Sequence, residues 1–186
     1  LFRSLTCIQI LFISSQTYPS RMLKGGARAF GGMQRIKIFS VDQAIPSQWK
    51  KYMTHSQNKE ELVQFLFQTW SNTHPDKFRN VKVFFAHASQ CHAFYSTSGK
   101  LEVEEVPELT ADHEEADTRL LLHCEYASQH QASSSQVTSS VIIRSPDTDV
   151  FVVAVGLSGV MNSRVLFHTG RGNLTRTIDV TAVHNH

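Results

Sequence analysis

Short apolar runs alternate with helical patterns over residues 81–180, and this alternation constrains the fold more than any other feature. The segments "VKVFFAH", "HAFYST" and "LEVEEV" have strand composition, and the turn "SGK" joins the last two. A helix is predicted from Glu114 to about Ala127, because apolar residues recur there at helical spacing. The chain therefore changes from strands to a helix within this region.

A second strand, helix and strand follow a polar loop. "VIIR" is a continuous apolar run of the kind found in strands that are covered on both faces. "VFVVAVGL" is predicted to be a helix, with Ser145 as its N-cap, Pro146 in its first turn and Gly156 near its end. "RVLFHTG" and "TRTIDV" are predicted strands around the turn "RGN". The pattern predicts an α/β fold with a mostly parallel sheet covered by helices, in three layers.

Residues 1–80 form a basic N-terminal region with a different pattern. "QILFI" and "RIKIF" are predicted strands, and "IPSQWKKYM" and "NKEELVQFLFQTW" are predicted helices. The second helix has Asn58 as its predicted N-cap, with Glu61 three residues later. The glycine-rich segment "KGGARAFGG" lacks the ending of a phosphate-binding P-loop, so it is predicted to be a flexible basic loop. We therefore divide the chain into residues 1–80 and an α/β core at residues 81–186.

The charge is unevenly distributed along the chain. Residues 1–82 carry 12 Lys or Arg and 4 Asp or Glu, a net +8, whereas residues 83–186 carry 6 and 12, a net −6. A basic half beside an acidic centre suits a polyanionic substrate and metal-bridged chemistry, although surface charges can also be distributed this way without a function. The predicted nucleic-acid contacts are Lys24, Arg28, Lys50 and Lys51.

Two acidic clusters, "ADHEEADTRLLLHC" and "RSPDTDVFVVAVG", each precede an apolar run. In parallel sheets, ligands bind at the carboxyl ends of the strands, which is where Asp147 and Asp149 are expected. Mg²⁺ prefers oxygen ligands and keeps several waters, so two or three carboxylates are enough for one ion. The predicted metal ligands are Glu115, Asp117, Asp147 and Asp149, and Glu114 replaces Glu115 if the helix is regular from its start. The alternative is that both clusters only cap helices.

The cysteines and the apolar N-terminal run indicate neither a disulfide framework nor a membrane span. Cys7, Cys91 and Cys124 have no paired spacing, so we expect buried thiols beside surface histidines. "LTCIQILFI" is too short to cross a bilayer, and no membrane partner is expected. The chain begins with Leu and ends at "TAVHNH" without a closing element, so a fragment of a longer reading frame is expected.

The block "HEEADTRLLLH" followed by "VIIRSPDTDVFVVAV" resembles the internal region of the flap endonuclease and XPG family, a branch of the PIN-like nucleases. The chain is also similar to a group of animal proteins with a divergent PIN-like domain from genomes rich in mobile elements. The resemblance covers roughly residues 46–180. It implies that Glu115 and Asp117 form the first pair of metal ligands and that Asp147 and Asp149 form the second.

Two features of the family's site are missing from this chain. Members carry a further Asp after an upstream hydrophobic strand, whereas "QILFI" here ends in Ile13 and Ser14. Another Asp of the family lies downstream of the last residue of this chain, and the predicted strand position of Asp179 argues against it as a substitute. The resemblance therefore implies a partial site.

The predicted function is metal-dependent hydrolysis of phosphodiesters in DNA or RNA, with DNA favoured, by a structure-specific nuclease that uses Mg²⁺ or Mn²⁺. Asp147 and Asp149 are the predicted catalytic carboxylates, and an intracellular, nuclear location is expected. One alternative is a non-catalytic PIN-like module that binds nucleic acid or protein, which Ile13 favours. Another is a haloacid-dehalogenase-type phosphatase with Asp147 as nucleophile and Asp149 as acid.

Overall fold

The chain divides into two compact units, one at residues 5–114 and the other including residues 115–186. The structure is a computed structural model of the chain. It describes four segments, residues 7–12, 35–111, 116–131 and 140–186. Residues 81–114 therefore belong to the same unit as the two helices that precede them.

The first unit contains a four-stranded sheet with the order β1-β2-β3-β4. Its strands are β1 (Cys7–Phe12), β2 (Val81–His87), β3 (Gln90–Thr97) and β4 (Lys100–Glu105). β1 pairs with β2 in parallel, whereas β2, β3 and β4 form an antiparallel meander. The predicted hairpin across "SGK" is confirmed, and its turn uses positive φ angles at Ser98 and Gly99.

Two helices accompany this sheet, α1 (Trp49–Met53) and α2 (Ser56–Ser71). Val63 of α2 belongs to a buried core with Phe78, Val83, Phe85 and Phe94. Leu66, Phe67 and Trp70 pack against this core and continue the same helical stripe at spacings of three and four residues. Alternate residues of β2 and β3 face α2, so one face of the meander is buried beneath this helix.

Two local predictions for this unit are wrong. The N-cap of α2 is His55, and Asn58 lies inside the helix, where its buried side chain accepts a hydrogen bond from the N–H of Ile36 at 3.2 Å. Glu61 pairs with Arg35 instead of closing a capping box. Residues 35–40 have no regular secondary structure, although "RIKIF" was predicted to be a strand.

The described residues of the second unit form three α-helices and a three-stranded sheet with the order β5-β6-β7. Its elements are α3 (Ala116–Gln131), β5 (Ser140–Arg144), α4 (Thr148–Leu157), β6 (Arg164–Thr169), β7 (Arg176–Asp179) and α5 (Val180–His184). β5 and β6 are parallel, with α4 as the crossover, whereas β6 and β7 are antiparallel. The predicted helix over "VFVVAVGL" is confirmed.

Only one face of β5 is buried. Val141 and Ile143 are buried, whereas Ile142 between them is 65% exposed. The interpretation of "VIIR" as a strand covered on both faces is therefore wrong. On the buried face, Phe151 of α4 contacts Phe167 of β6 with 5.2 Å between ring centroids, which fixes the crossover helix against the parallel pair.

The prediction of a mostly parallel sheet covered by helices in three layers is wrong. Among the described strands, two pairs are parallel and three are antiparallel, and they form two separate sheets. The reason is loop length: the turns after residues 87 and 97 contain two residues each, and parallel neighbours need a much longer crossover.

Short 3₁₀ helices occupy Pro75–Phe78, Pro107–Leu109, Ser158–Val160 and Gly172–Leu174.

Candidate carboxylate site at the end of strand β5

The turn between β5 and α4 is anchored to the neighbouring parallel strand. Arg144, the last residue of β5, lies opposite His168 of β6 in the sheet register. The N–H of Ser145 donates to the carbonyl oxygen of His168 at 3.2 Å, and the N–H of Asp147 donates to Oγ of Ser145 at 3.1 Å. These bonds direct the chain from the end of the strand into α4.

Asp147 is the N-cap of α4, a position that was predicted for Ser145. Its Oδ1 accepts a hydrogen bond from the N–H of Asp149 at 3.0 Å, in the usual manner of a capping aspartate. Both side chains are exposed. Within the described residues, neither Oδ2 of Asp147 nor the carboxylate of Asp149 has a hydrogen bond or ion pair with the protein. The cap therefore occupies one of the four carboxylate oxygens.

Asp117 is the second residue of α3, but its side chain lies outside the described part of the structure. Glu114 and Glu115 also lie outside the described residues, as does Ile13. The eight residues 132–139 link the end of α3 to β5, and α3 itself contacts β5. Across the four described segments, no group of three or more His, Cys, Asp or Glu side chains could hold a metal ion. The described part of this site is therefore a pair of carboxylates.

Two carboxylates with free oxygens are suitable ligands for a hard divalent cation. Mg²⁺ and Mn²⁺ are bound by carboxylate oxygens, and Mg²⁺ usually retains several waters. Asp147 and Asp149 therefore fit such an ion by donor type, and the α4 N-terminus would still be capped through Oδ1 of Asp147. The chemistry that a bound ion supplies is activation of water and stabilisation of a phosphate oxygen.

The predicted nucleic-acid contacts lie in the N-terminal half of the chain. Lys50 and Lys51 are exposed on α1, and in the described structure their ammonium groups have no hydrogen bond or ion pair. Lys24 and Arg28 lie outside the described residues. The two described lysines are thus available to bind phosphate.

Two of the three cysteines, Cys91 and Cys124, are buried, as predicted. Cys91 is 0% exposed and Cys124 is 2% exposed. Burial raises the pKa of the Cys124 thiol to about 12. The adjacent His123 is also fully buried, so the prediction of a surface histidine there is wrong. Burial, with a smaller contribution from Arg119, lowers the pKa of His123 to about 4.

Sequence reasoning missed a polar cluster in the first unit. Nε2 of His87, at the end of β2, lies 3.0 Å from Oε2 of Glu60 on α2. The two residues are 27 positions apart, and the helix was interpreted only as a packing element. The sequence signal that could have revealed this pair is the two-residue period of the strand "VKVFFAH", which places His87 on the same face as the buried Phe85.

No protein-family model, curated protein or solved structure matches this chain. In the part of the chain that the structure describes, no helix has the length and apolar character needed to cross a membrane.

Proposed function

We propose that the unit containing residues 115–186 is a metal-dependent phosphodiesterase-type domain that acts on nucleic acid through Asp147 and Asp149. The observation that carries this proposal is the exposure of both carboxylates directly after β5, with three of their four oxygens unbonded within the described structure. The ends of parallel strands are the usual positions for ligand-binding residues in α/β units. The acidic cluster at the start of α3 and its resemblance to the flap endonuclease family add support.

Helix capping alone explains the presence of only one of the two carboxylates, that of Asp147. The N-terminus of α4 gains its hydrogen bond from Asp147, and a second acid in the first turn adds roughly 0.3–1 kcal/mol through the helix dipole. Exposed like charges two residues apart repel each other when no cation is bound. A divalent cation removes this repulsion, which favours a ligand role for Asp149.

The decisive experiment is Mn²⁺ titration by calorimetry of the wild type and of Asp147→Asn and Asp149→Asn. Asn caps helices as well as Asp does, so Asp147→Asn should preserve the melting temperature while weakening Mn²⁺ binding by roughly tenfold or more. If Asp147 only caps α4, neither variant changes the isotherm, and the proposal is wrong.

Asp179 provides a matched control. It is likewise an N-cap aspartate at the end of a strand, since its Oδ1 accepts from the N–H of Ala182 at 3.1 Å. Its Oδ2 is occupied, because Arg164 donates to it from Nε at 2.9 Å and from Nη2 at 2.6 Å. Asp179→Asn should therefore leave Mn²⁺ binding unchanged.

Cleavage assays on flap, bubble and single-stranded substrates test the chemistry. We expect weak or no cleavage by this chain, because two-metal hydrolysis needs more ligands than two carboxylates provide. Any cleavage above background should require Mg²⁺ or Mn²⁺ and should disappear in Asp149→Ala. Metal-independent cleavage that survives this substitution would exclude the proposed site.

The second candidate is a non-catalytic module that binds nucleic acid, which the capping role of Asp147 favours because it gives that residue a function without metal. This candidate predicts binding without added divalent ion and a steep loss of affinity with salt. Changing Lys50 and Lys51 to Ala should then reduce the salt slope by about one for each phosphate that is no longer neutralised. Metal-free binding combined with an unchanged Mn²⁺ isotherm in the Asp variants would select this candidate.

A further inference from the structure

A pocket of about 220 Å³ lies between α2 and the β2–β3 hairpin of the first unit. Helix α2 contributes four side chains, Val63, Gln64, Phe67 and Gln68, and the hairpin contributes three, His87, Gln90 and His92. The helical residues are spaced by three and four positions, so they lie on one face of α2. His87 and Gln90 are register partners, and His92 lies two residues further along, so these three share one face of the sheet.

The aromatic wall of the pocket is held in place by its neighbours. The ring of Phe67 makes edge contacts with Phe85, Phe94 and His92, at centroid distances of 5.7, 5.5 and 4.9 Å. Phe85 and Phe94 are fully buried, whereas Phe67 is only partly buried and lines the pocket. A flat aromatic surface favours a flat ligand. Because the ring of Phe67 is already fixed, little conformational entropy of the protein is lost when the ligand binds.

Hydrogen-bonding groups surround this aromatic wall. Nε2 of Gln64 donates to Oε1 of Glu60 at 2.9 Å, and Oε2 of Glu60 lies 3.0 Å from Nε2 of His87. Burial raises the pKa of Glu60, but its bonds with His87 and Gln64 and the His87 charge outweigh this effect, so the pKa is lowered overall. Ionised Glu60 can only accept, so Nε2 of His87 carries the hydrogen of this bond, and Nδ1 is the ring nitrogen that remains for a ligand.

The remaining polar groups of the pocket offer both donors and acceptors. The side-chain amide of Gln68 and the ring nitrogens of His92 have no hydrogen bond to any part of the chain that the structure describes. Gln64 uses an amide hydrogen to reach Glu60, which leaves its carbonyl oxygen as an acceptor. The pocket therefore combines one aromatic surface with hydrogen-bonding groups that match the edge of a polar heterocycle.

We propose that this pocket binds a nucleobase, as a free nucleotide or as an unpaired base of a single strand. Its volume lies below the range of about 300–1,000 Å³ typical of sites for drug-sized ligands, so it suits a single small ring system. Unstacked bases are commonly bound by stacking on an aromatic ring and by hydrogen bonds to their edges. Glutamine amides are suited to the paired donor and acceptor of adenine.

The test is calorimetric titration of the intact chain with adenosine monophosphate and, separately, with a single-stranded oligoadenylate, supported by NMR signals of the His87 and His92 rings. Gln68→Ala should weaken binding by about fivefold, as expected for the loss of one neutral hydrogen bond. Gln57→Ala is the matched control, because it removes the same side chain from an exposed position of α2 that does not line the pocket. It should leave the affinity unchanged.

The two probes distinguish the source of the base. Saturation by the mononucleotide identifies a free nucleotide as a sufficient ligand, whereas binding of the oligonucleotide alone identifies a single strand. The proposal is overturned if neither probe binds at about 10 mM, a concentration that would detect dissociation constants in the millimolar range. It is also overturned if Gln57→Ala and Gln68→Ala weaken binding equally, or if Zn²⁺ or glucose shifts the His87 and His92 signals while nucleotides do not.

Discussion

Replacing Asn58 with alanine should destabilise the first unit by about 1–3 kcal/mol, because a fully buried side chain would no longer make its two hydrogen bonds. Its Oδ1 accepts from the N–H of Ile36 at 3.2 Å, and its Nδ2 donates to the carbonyl oxygen of Tyr52 at 3.2 Å. The Tyr52 carbonyl keeps a hydrogen bond from the backbone N–H of His55 at 3.3 Å, so losing the bond from Asn58 costs about 1 kcal/mol there. The Ile36 N–H is only partly buried, so its contribution is also about 1 kcal/mol.

Tyr52→Phe tests a single bond of the same cluster. The Tyr52 hydroxyl donates to the carbonyl oxygen of Asn58 at 3.1 Å, so its removal should cost about 1 kcal/mol. Since the side chains share a cluster, the double variant should be less destabilised than the sum of the single variants.

Urea unfolding followed by tryptophan fluorescence reports on this unit alone. Both tryptophans of the chain lie in it, and Trp49 stacks on Tyr52 with 5.2 Å between ring centroids. Gln57→Ala, at an exposed position of the same helix, should stay within about 0.5 kcal/mol of the wild type. If Asn58→Ala also changes the free energy of unfolding by less than about 0.5 kcal/mol, the hydrogen bonds of Asn58 do not stabilise the unit and the reasoning is refuted.

Three further predictions concern backbone strain and buried titratable groups. Gly170 has a φ of +98°, and an added Cβ would overlap the backbone of the same loop, so Gly170→Ala should cost roughly 1–3 kcal/mol. Gly156→Ala, with open space around it on α4, should instead stabilise by about 0.5–1 kcal/mol, and urea unfolding followed by circular dichroism compares the two. The pKa of His123 is lowered by burial from 6.5 to about 4, so between these values the unfolded chain binds a proton that the folded chain does not. Stability should therefore fall as the pH drops from 6.5 to 4, by at most about 1.4 kcal/mol per pH unit, and thermal melts should show a smaller fall in His123→Gln. Burial raises the pKa of Cys124 to about 12, so iodoacetamide at pH 8 should label this thiol only after unfolding, as mass spectrometry would show.

Local signals in the sequence predicted local structure. Pro146 just after a strand and Gly156 near the end of an apolar run predicted α4, and the turn around Ser98 and Gly99 predicted the β3–β4 hairpin. These features depend on residues that are close in the chain, where turn geometry and capping act directly.

Pairing between distant segments could not be predicted from such signals. β1 and β2 are separated by nearly seventy residues, and nothing in either strand specifies its parallel partner. Asn58 was assigned to a cap because capping statistics ignore tertiary contacts, whereas its side chain is used to bind Ile36 and Tyr52. The fold class was wrong for the same reason, since strand order depends on non-local contacts.

The candidate site was predicted unevenly. The position of Asp147 and Asp149 after β5 follows from the strand and helix pattern alone. The choice of Asp147 over Ser145 as the cap depends on where the helix begins, and terminal residues are the least certain part of any prediction. The pair formed by Glu60 and His87 needs α2 to be packed against the hairpin, so pattern analysis could not reveal it.

The β6–β7 hairpin can form before the rest of its unit. Arg164 near the start of β6 and Asp179 at the end of β7 close its open end across only 15 residues of chain. Closing so short a loop costs little entropy, and contacts that are local in sequence form early in folding. β5 must instead wait for the whole α4 crossover before it pairs with β6. The carboxylates at its end are therefore positioned late in folding, after the hairpin has provided the edge on which β5 docks.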